Sequence, residues 1–159
     1  MNLPSAPPEQ ALGAPRAREP WRSQDWERLW LSTQSRRWST LALVPAGPGG
    51  PRDFTLNIAM SLARTGMVHL GAQVHVADAT TLSLGSNAQF LAQVRETTRS
   101  GPVLIALAAA SENSVTIPLA RDANASILCV SVGSMRVSDA KKTIREIGKQ
   151  QFIGSAAFR

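Results

Sequence analysis

The sequence has 159 residues, 43% hydrophobic and 18% charged, which is the size and composition of one globular domain with a short extension. No apolar run reaches the length of a membrane span, and the opening Met1-Asn2-Leu3-Pro4 leads into no apolar signal core, so a cytoplasmic protein is expected. A net charge of +6 and a pI near 11 invite an acidic partner, but the cations are dispersed: six arginines fall in the first 38 residues and seven basic residues beyond position 120, never more than two in succession.

Residues 1–20 are rich in proline, alanine and arginine and show no periodicity, which predicts a disordered tail. Residues 21–38 change character. Ser23 is a capping residue, Asp25 and Glu27 suit a first helical turn, and Arg36 and Arg37 suit a last one. Trp26, Leu29, Trp30 and Thr33 share a face at helical spacing. That tryptophan face reads either as a helix packed on the body or as a docking surface for a partner.

Residues 40–44 predict a buried strand and residues 54–64 a helix. Between them stands Gly47-Pro48-Gly49-Gly50-Pro51-Arg52-Asp53. A strand, a glycine-rich turn and a helix form the frame of a phosphate-binding loop, which also needs a lysine and a Ser/Thr hydroxyl at the helix start. Here Pro51 occupies the lysine position, and Arg52-Asp53 the hydroxyl positions. Proline supplies neither an ammonium group nor an N–H, and Asp53 sets a negative charge where a phosphate would otherwise be favoured. Arg52 alone retains the character of a phosphate donor.

The alternation then continues. Strands are expected over residues 73–78, 103–108, 126–132 and 152–158, with helices over 87–99, 112–121 and 138–150. Several strands are continuously apolar, as strands buried on both faces are. The prediction is an α/β three-layer sandwich over residues 39–159, with a mainly parallel sheet of five or slightly more strands. Its strand ends would gather residues 45–52, 78–86, 109–112 and 133–136 on one rim.

Other chemistry is sparse. Cys129 is the only cysteine and lies in an apolar run, which excludes an internal disulfide and predicts a buried thiol. His69 and His75 have no partners at metal-ligand spacing, so no metal is expected. No serine sits in a hydrolase elbow, so no catalytic residue is assigned. In the last helix Lys141, Lys142, Arg145 and Lys149 fall within an arc of about 100°, with Ala140, Ile144 and Ile147 opposite. This basic stripe reads as a solvated face or as contact with anionic headgroups or an acidic partner; the helix lacks aromatics for base stacking, which disfavours nucleic acid.

Over residues 24–159 the order of segments resembles the deviant-Walker P-loop ATPases, the MinD/ParA group, and within it the bacterial tyrosine autokinases of capsule and exopolysaccharide export. The most specific match is Asn57-Ile58-Ala59-Met60-Ser61-Leu62-Ala63-Arg64-Thr65-Gly66, similar to the helix that follows the family's P-loop. Val74-His75-Val76-Ala77-Asp78-Ala79 resembles its second strand, and Leu119-Ala120-Arg121-Asp122-Ala123 a later Ala-Asp segment. The departures are as specific. The family's Walker B strand ends in a magnesium-binding aspartate, whereas the strand here ends in Ala108-Ala109. The sequence contains no tyrosine, which excludes tyrosine autophosphorylation within it.

The resemblance and its departures together imply a pseudo-ATPase that binds neither ATP nor magnesium, built around a degenerate loop of Gly47, Gly49, Gly50, Pro51, Arg52 and Asp53 with Asp78. They imply a regulatory or scaffold subunit of a membrane-associated machine for exopolysaccharide or cellulose synthesis or export. Such a subunit would sit peripherally at the inner membrane through a protein partner, with Trp26, Leu29, Trp30, Lys141, Lys142, Arg145 and Lys149 as contact candidates, as a homo- or hetero-oligomer. Two alternatives remain open: a MinD/ParA-like ATPase with an unorthodox site, and a positioning or nucleic-acid-binding module.

Overall fold

A computed structural model describes residues 23–159 of the chain. The tail expected over residues 1–20, and Trp21, lie outside the described residues. Helix α1 (Gln24–Thr33) begins where the Ser23 hydroxyl accepts the Trp26 amide at 3.4 Å. It ends earlier than its sequence suggests. The Thr33 hydroxyl donates back to the Trp30 carbonyl at 2.6 Å, and the Trp38 indole N–H takes the Thr33 carbonyl at 3.0 Å, so Arg36 and Arg37 lie past the last turn.

Strand β1 (Thr40–Pro45) leads through the glycine loop into α2 (Phe54–Leu70). This helix overruns its predicted end because Gly66 is an interior helical residue, and the left-handed cap is Gly71, at φ +63°. Then follow β2 (His75–Asp78), a short 3₁₀ turn at Leu84–Ser86, α3 (Asn87–Thr97), β3 (Val103–Ala106) and α4 (Thr116–Asp122). Helix α4 starts later than expected. Asn113 ties down the preceding turn, donating to the Leu82 carbonyl at 3.0 Å and accepting the Val115 amide at 3.1 Å. The chain closes with β4 (Ala125–Ser131), α5 (Val137–Ile147), a 3₁₀ turn at Lys149–Gln151 and β5 (Phe152–Phe158).

The five strands form one parallel sheet in the order β2-β3-β1-β4-β5. From β1 the chain steps one way to β2, and every later step runs the other way. Right-handed crossovers therefore put α2 on one face, beside α1, and α3, α4 and α5 on the opposite face. The core divides accordingly. Leu41 and Leu43 of β1 pack with Trp30, Ile58 and Leu62; Ala42 and Val44 pack with Val115, Leu119 and Ile147. Successive β1 side chains thus enter different cores, which is why the strand is apolar throughout rather than alternating. The result is an α/β three-layer sandwich consistent with a P-loop-like arrangement. Among the described residues no helix is long and apolar enough to cross a membrane.

Candidate functional site

Helix α2 leaves β1 toward one face, while the helices that follow the neighbouring β3 and β4 occupy the other. Loops that part in this way open a crevice above the carboxyl end of β1, the place where open parallel sheets bind ligands. A cavity of about 300 Å³ occupies that position. The glycine loop and the first turn of α2 line it on one side, Thr80 and Thr81 on another, and the residues after β3, with Glu112 and Met135, complete it.

The loop glycines have local structural reasons. Gly47 is buried against α5: a Cβ there would lie 2.7 Å from the Asp139 Cβ. Gly49 adopts φ +93°, and a Cβ would meet the Ser134 carbonyl oxygen at 2.9 Å. The segment after β4 and the first turn of α5 therefore shape the loop.

At the mouth of α2 the chemistry turns anionic. Asp53 precedes the helix in a left-handed conformation (φ 55°, ψ 31°), the one non-glycine positive φ among the described residues, and its side chain makes no capping bond. Its carboxylate stands at the positive end of the helix dipole. Glu112 lines the same cavity, and Asp139 abuts Gly47. Arg52 is the one cationic side chain lining the crevice.

Directly after β3 the chain reads Leu107-Ala108-Ala109, and threonine hydroxyls take the main-chain carbonyls there. Thr55 donates to the Leu107 carbonyl at 2.6 Å, and Thr116 to the Ala108 carbonyl at 2.8 Å. Thr55, Thr116, Glu112 and Asp139 were not singled out from the sequence. Thr55 carried the only usable signal, a hydroxyl in the first turn of the helix after a glycine loop.

Gly47, Gly49, Gly50, Pro51, Arg52 and Asp53 are thus brought together, but Asp78 is not among them. It lies at the end of β2 on the sheet's edge, where its carboxylate accepts the Thr80 amide at 3.0 Å and hydroxyl at 2.6 Å, and it lines a separate cavity between β2 and α3. Cys129 is buried in β4 with its thiol pushed up to about 12 by burial, a rise partly offset by a backbone hydrogen bond at Val44. It stays protonated and is no nucleophile.

The two surfaces singled out for partners differ. Trp30 is 2% exposed, edge-on to Trp38 at 5.9 Å, and Trp26 and Leu29 are half-buried on the same core, with Trp26 5.8 Å from Phe158. The tryptophan face is turned onto the body, the first of its two readings, and burial leaves Trp30 almost no ring to offer as a contact candidate. Lys141, Lys142, Arg145 and Lys149 are exposed, with Lys142 3.8 Å from Glu146. No family of known proteins and no curated protein gives a match to this sequence.

Proposed function

We propose that the chain is a non-catalytic, P-loop-like subunit that regulates or scaffolds a membrane-associated bacterial polysaccharide machine, of the exopolysaccharide or cellulose kind, through contact with another protein. The observation that carries the non-catalytic reading is the crevice above β1. Its loop has proline where an ammonium group and an N–H would hold phosphate, Asp53 stands at the helix mouth, and alanine follows β3 where a metal-binding carboxylate would stand. Repulsion from one such carboxylate costs a bound phosphate about 1 kcal/mol per unit charge at about 4 Å, even with full water screening.

The type of machine is inferred from the resemblance of residues 57–66 and 74–79 to the autokinases of polysaccharide export. Their chemistry is missing here, which leaves contact as the mode of action. Calorimetric titration of the full chain with ATP and magnesium tests the central claim. No binding is expected up to millimolar nucleotide, and micromolar affinity would overturn it in favour of an ATPase with an unorthodox loop. Peripheral attachment at the inner membrane follows if a polysaccharide synthase or chain-length protein retains the chain when solubilised membranes are fractionated.

A further inference from the structure

We infer that the outer edge of β5 docks an extended, acidic segment of a partner protein, which adds beside it as a sixth strand. The inference rests on the reading that this chain works by protein contact, and it gives that contact its chemistry.

The sheet ends in two edges of different character. β2 is four residues long and finishes in the carboxylate of Asp78, a common guard of exposed edges. β5 runs for seven residues, Phe152-Ile153-Gly154-Ser155-Ala156-Ala157-Phe158, without a charge or a proline. One of its faces is covered, since Ala156 and Phe158 pack into the core beneath α1, and a register shift at Ile153 lets that side chain join them. On the other face Ser155 and Ala157 are exposed.

The backbone follows the same division. The Val132 amide donates to the Phe158 carbonyl at 2.8 Å, and the parallel register pairs Ile127 with Gly154, Cys129 with Ala156 and Ser131 with Phe158. Alternate residues of a strand bond to alternate sides. Gly154, Ala156 and Phe158 therefore serve β4, while Ser155 and Ala157 turn their N–H and C=O groups outward. Among the described residues no element pairs with them. Four main-chain groups on an uncharged strand form a template for another strand.

Charge selects what fits. Helix α5 is held toward β1, because Thr143 donates to the Ala46 carbonyl at 3.0 Å and Asp139 sits against Gly47. At about 100° per residue the flank turned away from those contacts carries Val137, which is 72% exposed, and Lys141, with Arg145 next on the outer surface. The helix's two carboxylates are not on this flank: Asp139 is on the β1 side, and Glu146 pairs with Lys142 while its carbonyl takes Arg121 of α4. The side of α5 turned from β1, toward β5, thus presents apolar Val137 beside the cations Lys141 and Arg145. An alternating apolar and acidic strand meets both. A second copy of this chain fits worse, because two-fold pairing of β5 with β5 would turn the Lys141 and Arg145 flanks of both copies toward each other.

The test uses the full chain and a fluorescein-labelled octapeptide of alternating valine and glutamate, read by anisotropy at low salt, beside its valine–lysine counterpart. The glutamate peptide is expected to bind saturably and the lysine peptide at least about tenfold more weakly. Lys141→Glu with Arg145→Glu, both surface changes, lowers affinity for the glutamate peptide about tenfold or more. Ala157→Pro removes an outward N–H and abolishes binding while thermal unfolding is retained. Hydrogen exchange at the Ser155 and Ala157 amides slows in the complex. The inference is overturned if neither peptide binds, if both bind equally, or if those amides exchange as fast in the complex. It is also overturned if the chain sediments as a dimer that Ala157→Pro dissociates, since a second copy then takes the edge. ATP binding in the calorimeter alongside the expected peptide results would remove the proposed function and leave the docking site standing.

Discussion

Replacing Gly66 by alanine sets two ordinary effects against each other, and the structure decides between them. In an open helix the change stabilises by about 1 kcal/mol, because glycine is the poorer helix former. At Gly66, however, the added Cβ would lie 2.5 Å from two atoms of the Trp30 ring and 2.9 Å from a third. The indole is rigid, 2% exposed and braced by Trp38, so it cannot yield as the end of a flexible side chain would. Overpacking of this kind costs about 1–3 kcal/mol, and complete ejection of the ring would approach the cost of losing a core tryptophan, about 3–5 kcal/mol. Because the rigid ring puts the cost in the upper part of that range, about 2–3 kcal/mol, the expected net change after the propensity gain is a loss of about 1–2 kcal/mol, or a fall in Tm of roughly 3–6 °C for a chain of this size. Urea unfolding followed by far-UV circular dichroism measures it. In a Trp30→Ala background the clash is gone, and the same glycine replacement should stabilise by about 0.5–1 kcal/mol. A Gly66→Ala variant that is neutral or more stable with Trp30 in place would refute the packing argument.

Thr55→Val keeps the shape but removes the donor to the buried Leu107 carbonyl, and should cost about 1–2 kcal/mol in urea unfolding; an unchanged midpoint would show that the hydroxyl does not join α2 to β3. The Cys129 thiol, raised from 9.0 to about 12 by burial, stays protonated in the folded chain while the unfolded chain ionises. Stability from this group is therefore complete below pH 9 and falls by about 1.4 kcal/mol per pH unit above it, until the folded thiol also ionises. Cys129→Ala should lack this alkaline loss, and parallel stability curves for the two proteins above pH 9 would contradict it.

The alternation of apolar strands and amphipathic helices was legible because it follows from burial of both sheet faces, and every expected strand and helix of the body is present. Boundaries were less so, and each miss has a local cause. The helical pattern after the loop stops at residue 64, yet α2 runs on through Gly66; a glycine in a helix marks either a left-handed cap or a close neighbour, and only the fold brings Trp30 against it. In sequence Asp78 groups with the loop because residues 74–79 resemble the family's second strand, which ends in an Asp-Ala pair. Strand order decides otherwise: β3 lies between β2 and β1, which puts Asp78 at the edge of the sheet. The tryptophan stripe left two readings open, and burial of Trp30 separates them. The free edge of β5 could not be read at all, because which strands lie outermost is a property of topology and not of local pattern.

Glycines in a phosphate-binding turn report a backbone shape, and a shape can persist after the ligand that required it is gone if other contacts come to need it. Here Gly47 is constrained by Asp139 in the first turn of α5, and Gly49 by the Ser134 carbonyl in the segment that joins β4 to α5. The residues that would contact phosphate through their own chemistry are the ones that differ: Pro51, Arg52 and Asp53 line the crevice, and Asp53 makes no capping bond. Internal packing is therefore sufficient to require these glycines whether or not a phosphate binds, and glycine content alone does not identify a working site.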